Sequence, residues 1–272
     1  MIYYSKEDTM VNYLQLYCSH YGPGARPFAF ILSQNGTLFF DFERKDATYD
    51  WIASLDRLLR DMPENDVLYT FNSGFEQKTA APLLSKESLS KLSNSVDLYK
   101  EIKARTRIVP FKSYSMESLS HEKVILGPDL HLLLKEGREN EVQEAMKRNI
   151  KAMEQIGAVY ERLVEEQSAS DIWIDAISPS PFTITGHTND SLSRYIQRGD
   201  ALYEEKNGFF RFELQATWLP YDQNTKALVV ETDVPIQSMV NSPPGYLIFA
   251  LGKEVFYSTI LEFIHYLRHL SD

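Results

Sequence analysis

The stretch Val67-Leu68-Tyr69-Thr70-Phe71-Asn72-Ser73-Gly74-Phe75-Glu76 decides the reading of this chain. Five residues of apolar and β-favouring character follow the Asn65-Asp66 turn and form a short strand. The polar Asn-Ser-Gly then breaks it, with Glu76 just beyond its C-terminal end. Open α/β sheets place their ligands at such strand ends, so this segment is the first candidate for a site.

Working outward, the upstream region reads as strands followed by a helix. Met1 to Lys6 is short and aromatic and reads as a first strand. Arg26-Pro27-Phe28-Ala29-Phe30-Ile31-Leu32 is a continuous apolar run joined through Gln34-Asn35-Gly36-Thr37 to Leu38-Phe39-Phe40-Asp41-Phe42, an Asn-Gly hairpin. Trp51, Ile52, Leu55, Leu58 and Leu59 then recur at helical spacing until Met62-Pro63 stops the run. Downstream, Thr79 to Arg162 is mostly helical. Ser115 is a candidate N-cap, and Glu139 to Glu166 is a long helix with Val142, Met146, Ile150, Met153, Ile156, Val159 and Leu163 on one face. The small, polar Gln167-Ser168-Ala169-Ser170 marks a boundary. Beyond it, strand patterns return at Gly208–Leu214, Ala227–Thr232 and Tyr246–Ala250, before a closing amphipathic helix over Val255–Leu270. The expectation is an α/β chain with two domains, 1–167 and 168–272. The first has three N-terminal strands, a helix, a strand and then helices in a mixed sheet, and the second is α+β.

Composition bounds the function. The 272 residues carry 28 Lys+Arg against 38 Asp+Glu, a net charge of -10, which disfavours the whole chain as a polyanion binder; nucleic-acid binding would need a local basic patch. The single cysteine, Cys18, allows no internal disulfide and no thiolate metal cluster. No window nears the roughly 18 consecutive apolar residues of a membrane span, and the opening residues lack a basic, then apolar leader, so the expected location is cytoplasmic. The six histidines show no metal-ligand spacing and read as surface or helix-end residues, and no Gly-rich phosphate loop is present. Phe209-Phe210-Arg211-Phe212 reads as core rather than as a base-stacking platform.

Tyr69 to Glu76 resembles the second motif of the DEDD 3′–5′ exonucleases of the ribonuclease H-like superfamily. Val96-Asp97-Leu98, followed by a basic stretch and by Lys112-Ser113-Tyr114-Ser115-Met116-Glu117-Ser118-Leu119, is similar to a later segment of the same families. The resemblance covers about residues 65 to 165. It implies a ribonuclease H-like mixed sheet and a site in which Mg²⁺ or Mn²⁺ ions, held by four convergent carboxylates, drive hydrolysis of a nucleic-acid strand.

Carried over residue by residue, Glu76 matches the second-motif carboxylate. The first strand, Ile2 to Asp8, has Glu7 where the family has its Glu, but Ser5 where it has Asp. On the long helix, Ala152 falls where the last metal-binding Asp belongs. Two of four ligands would then be missing. Glu7 and Glu76 remain as catalytic and metal-binding candidates, with Asp8 or Asp97 in support, although Asp97 equally suits a helix cap. A third possibility places the site at Asp41-Phe42-Glu43. Asn72, Lys100, Lys103, Arg105, Arg107 and Lys112 are the candidates for contacting a single-stranded end. The expected function is a weakly active or inactive relative of metal-dependent exonucleases. The alternative is a noncatalytic module that binds a protein partner or a nucleic-acid end.

Overall fold

The computed structural model describes residues 10–43, 50–236 and 238–270, and divides the chain into two compact units. The first comprises residues 1–100 and 113–159; the second comprises 101–112 and 160–272. The architecture is mixed α/β.

The first unit is built on a five-stranded sheet of β1 (Val11–Cys18), β2 (Pro27–Gln34), β3 (Thr37–Phe42), β4 (Val67–Thr70) and β5 (Val96–Asp97), in the order β3-β2-β1-β4-β5. β1–β2 and β2–β3 are antiparallel, whereas β1–β4 and β4–β5 are parallel. β2 reads as an unbroken apolar run because both its faces are covered: Phe28 through Leu32 are at most 1% exposed. The β2–β3 turn has Asn35 at φ 51° and Gly36 at φ 74°, the pair of left-handed residues that lets a two-residue loop follow the strand twist.

Helix α1 (Trp51–Asp61) starts where Asp50 accepts hydrogen bonds from the Ile52 and Ala53 amides, and it buries Trp51, Leu55 and Leu59 against Leu14, Leu16, Phe30 and Leu32. After β4 come α2 (Gly74–Ala80), α3 (Lys86–Ser93), α4 (Leu98–Arg105), α5 (Met116–Ser120), α6 (Gly127–Lys135) and the 28-residue α7 (Glu139–Glu166). Helix α7 approaches β1 closely at Gly157, where an added Cβ would lie 2.5 Å from the Tyr13 hydroxyl.

One expectation about this sheet is corrected. The strand at its centre is Val11–Cys18, not Ile2 to Asp8, which lies outside the described residues. Its alternation of Tyr13, Gln15 and Tyr17 with Asn12, Leu14 and Leu16 gives no unbroken apolar run, so its pattern was masked by polar residues that pack inside.

The second unit holds two antiparallel sheets. The larger runs β6 (Ser168–Ala169), β7 (Ile172–Pro179), β8 (Phe182–Thr188), β9 (Arg194–Arg198), β10 (Ala201–Lys206) and β11 (Phe209–Leu214) in the order β6-β7-β8-β11-β10-β9. The smaller is β12 (Thr217–Pro220), β13 (Lys226–Glu231), β14 (Tyr246–Leu251) and β15 (Glu254–Val255), in chain order. Helix α8 (Tyr257–Arg268) buries Ile260, Phe263, Ile264 and Leu267 in their common core. Phe210 and Phe212 point into that core, while Phe209 is 62% exposed on the opposite face. Among the described residues, no helix is long and apolar enough to cross a membrane.

Candidate functional site

The parallel strands β1 and β4 end beside α2 and β5, and the sequence motif lies here. Asn72 adopts φ 48°, a left-handed conformation that Asn tolerates better than most residues, and so turns the chain from β4 into α2. The turn is fixed by Asp97: its Oδ1 accepts hydrogen bonds from the backbone amide of Asn72 at 2.9 Å and from those of Tyr99 and Lys100 at 3.2 and 3.4 Å. Asp97 thereby caps α4 and ties the ends of two neighbouring strands together. Its other oxygen lies 3.5 Å from Lys100 Nζ. Of the two roles open to Asp97, the geometry supplies the cap.

Glu76 occupies the first turn of α2. Its Oε2 is buried without a hydrogen-bond partner, beside a cavity of about 20 Å³ that Leu14, Leu16 and Leu92 line together with Thr70 and Ser73. That volume suits one water molecule. Burial raises the Glu76 carboxyl above its ordinary value, and the negative charge of Asp97 adds to the effect. The surroundings respond in kind. Burial raises the Cys18 thiol and the Tyr21 hydroxyl, and the charge of Glu76 contributes to both. Glu76 is therefore a poorly solvated carboxylate among leucines and the uncharged polar side chains of Gln15, Thr70 and Ser73.

Among the described residues, no second carboxylate of the predicted ligand set is placed beside it on β1 or α7. β1, the central strand, reads Val-Asn-Tyr-Leu-Gln-Leu-Tyr-Cys and carries no carboxylate. Its polar side chains instead form a neutral chain of hydrogen bonds: Gln15 Nε2 donates to Met116 Sδ at 3.6 Å, Tyr17 Oη donates to Gln15 Oε1 at 2.9 Å, and Asn149 Nδ2 donates to Tyr17 Oη at 3.2 Å. Asn149 also bonds both the amide and the carbonyl of Ile125, at 3.1 and 2.8 Å. On α7, Ala152 is fully buried. Glu7 and Asp8 lie outside the described residues.

The Asp41-Phe42-Glu43 alternative is corrected. β3 is the edge strand, separated from β4 by β2 and β1, so these carboxylates do not face Glu76 across adjacent strands. Asp41 Oδ1 accepts the Phe42 amide, and Glu43 pairs with Arg26 at 3.0 Å. No group of three or more His, Cys, Asp or Glu that could hold a metal ion occurs among the described residues. The described residues around Glu76 do not by themselves supply the carboxylates of a two-metal centre.

The basic segment is likewise divided. Lys103, Arg107 and Lys112 are exposed, and Lys100 is exposed but paired with Asp97. Arg105 is a correction: it is 2% exposed, donates to the Ile174 carbonyl and to Gln167 Oε1, and sits 3.5 Å from Asp175 and 5.5 Å from the Tyr160 ring centre. It holds the second unit together and is closed to a phosphate. Asn72 contributes its backbone to the turn.

Two polar clusters of the second unit were not legible in sequence. His187, taken as a surface or helix-end histidine, is a strand residue whose Nδ1 lies 3.0 and 3.1 Å from the Asp175 carboxylate, with its ring stacked on Trp173 at 5.1 Å. Asp175 sits at a bulge in β7, where the strand register shifts. Glu205 is the hub of the other cluster. It accepts from Arg194 at 2.9 Å, from Arg268 at 3.2 Å through each oxygen, from Tyr203 at 3.0 Å and from Thr188. Residues far apart in sequence meet in both clusters, and no local spacing announces that. No protein-family model and no curated protein matches the chain.

Proposed function

We propose that the chain is a noncatalytic binding module built on a ribonuclease H-like, exonuclease-type scaffold. The strand order β3-β2-β1-β4-β5, antiparallel on one side of β1 and parallel on the other, agrees with the topology that the motif resemblance implies. One observation carries the functional reading: the central strand, where the chemistry needs carboxylates, presents Tyr13, Gln15 and Tyr17, and the neutral chain from Met116 to Asn149 fills its interior face. A two-metal mechanism must balance two divalent cations with clustered anionic oxygen ligands, and removing them removes the charge that binds the ions.

The partner favoured is a protein. The net charge of -10 opposes bulk nucleic acid, and the burial of Arg105 with the pairing of Lys100 leaves a smaller basic patch than the sequence suggests. The exposed Lys103, Arg107 and Lys112 favour the second reading, capture of a nucleic-acid end. The test is degradation of end-labelled single-stranded DNA and RNA by the full chain with Mg²⁺ or Mn²⁺, alongside Glu76→Ala. The expected result is no metal-dependent shortening in either protein; shortening that disappears in Glu76→Ala would overturn the proposal.

A further inference from the structure

In the smaller sheet of the second unit, one ladder stops short. β12 pairs with β13 from Pro220 opposite Lys226 to Thr217 opposite Val229, whereas β13 runs on to Glu231 beside β14 alone. Two residues further along, the ladder would set Gln215 opposite Glu231. The chain instead leaves through Gln215 and Ala216 to β11 of the larger sheet. A groove of about 550 Å³ lies where the strands part, lined by Leu214, Gln215 and Thr217 of the departing chain and by Val229, Val230 and Glu231 of β13.

The alternation of an antiparallel ladder fixes where the backbone groups of β13 point. The Thr232 amide donates to the Gly245 carbonyl at 2.8 Å, and the Tyr221 amide donates to the Thr225 carbonyl at 2.9 Å. Counted by twos from either bond, Val230 faces β14, while Ala227, Val229 and Glu231 turn N–H and C=O toward β12. For Ala227 and Val229, β12 supplies the partners. For Glu231 it does not, and no partner for its backbone groups occurs among the described residues. An open edge of this kind is a template for another strand.

The groove lining divides between the two faces of the sheet. Leu214, Val230, Phe263 and Leu267 belong to the core, each at most 6% exposed, and close the inner side. Thr217, Val229, Glu231 and Tyr246 share the other face in the strand register. A ligand lying on one face would meet only half of this lining. One lying in the plane of the sheet meets both halves, because an extended chain sends alternate side chains to opposite faces. The charged residues of the groove are Arg198, Asp200, Glu231 and Asp233. Arg198 is engaged, its Nη2 lying 3.1 Å from both oxygens of Asp233. Asp200 and Glu231 have no ion-pair partner among the described residues, so the open edge is anionic.

We infer that this edge of β13 receives an extended basic peptide of a partner protein, added to the sheet as a short strand. Its backbone bonds the outward N–H and C=O of Glu231, which supplies affinity for any extended chain. Its side chains supply selectivity: the residue opposite Glu231 is basic, and its neighbours, turned toward the closed inner side, are small or apolar. The inference rests on the reading of the chain as a protein-binding module and gives that reading a place in the second unit.

The experiment is titration calorimetry of the full chain with three end-blocked pentapeptides: alternating lysine and valine, the same peptide methylated at its backbone nitrogens, and alternating glutamate and valine. The expected result is saturable binding of the first, weakened by added salt, and at least tenfold weaker binding of the other two. Glu231→Gln, an exposed and isosteric change, weakens the lysine peptide at least threefold. Glu231→Pro removes an N–H that faces away from β14, a change an edge position accommodates, and weakens it at least tenfold with the circular dichroism of the sheets retained. Equal binding of the methylated peptide, binding unchanged in both variants, or no saturable binding at millimolar peptide would each overturn the inference. Self-association of the chain that Glu231→Pro abolishes would also overturn it, by giving the edge to a second copy. Each of these outcomes leaves the nuclease assay, which tests the binding-module reading itself, unaffected.

Discussion

Glu76 is the residue on which the resemblance to exonucleases rests most heavily, and its environment defines what it can do. A carboxyl raised by burial is bound to its proton more tightly in the folded than in the unfolded chain. Its contribution to stability is therefore greatest below its ordinary value of 4.5 and is lost as the pH rises through the raised value. Glu76→Gln removes the buried charge while keeping the shape. The variant is expected to melt at a higher temperature than the parent at pH 7 to 8 and at nearly the same temperature at pH 4; an equal difference at both pH values, read by thermal denaturation, contradicts the assignment. The Asn72–Glu76 turn was legible because Asn, Ser and Gly after a strand have local conformational meaning. That Asp97 is spent on three backbone amides was not, because the decisive partner, Asn72, is 25 residues away.

At the scale of elements, α7 packs closely on β1. Gly157 allows the approach: a Cβ there would sit 2.5 Å from the Tyr13 hydroxyl and 2.6 Å from a ring carbon, while the ring itself packs edge-on against Tyr69 at 5.4 Å. Gly157→Ala gains about 1 kcal/mol of helix propensity. Overpacking costs about 1–3 kcal/mol, so the expected outcome is a net loss of about 1 kcal/mol in denaturant unfolding, recovered when Tyr13→Leu is added. Undiminished stability in the single variant contradicts the close packing. β2 and β4 were legible as apolar runs, β3 through the Asn-Gly turn before it, and α1 and α7 through their helical period. The central strand was not: Val11–Cys18 buries Asn12 beside its leucines and turns Tyr13, Gln15 and Tyr17 toward helices distant in sequence, so polarity conceals a buried strand. β9, with Arg-Tyr-Ile-Gln-Arg, was hidden for the same reason, and β7 is interrupted by Asp175 at its bulge.

For the whole molecule, charge is distributed with different purposes in the two units. The second is held by a buried ionic network, with Glu205 joining β10 to Arg194 on β9 and to Arg268 on α8, while Arg268 also reaches Asp171 at 2.7 Å. Burial alone would raise the Glu205 carboxyl. Hydrogen bonds from Thr188, Arg194 and Tyr203 and the charge of Arg268 outweigh burial and hold it below its ordinary value. The stability it contributes is present above 4.5 and lost as the pH falls through the lowered value. Glu205→Ala leaves the buried Arg268 and the half-buried Arg194 without their central anion and is expected to cost about 3–5 kcal/mol at pH 7, measured by denaturant unfolding; a loss under 1 kcal/mol contradicts the network's role.

In the first unit, the central strand β1 carries no carboxylate, and its polar side chains are joined by neutral hydrogen bonds. The most direct test of that account is titration calorimetry of the full chain with Mn²⁺, with Glu76→Gln in parallel. The account predicts no saturable binding at submillimolar Mn²⁺ in either protein. Saturable binding of two ions per chain, lost in Glu76→Gln, would contradict it and restore the metal-dependent reading.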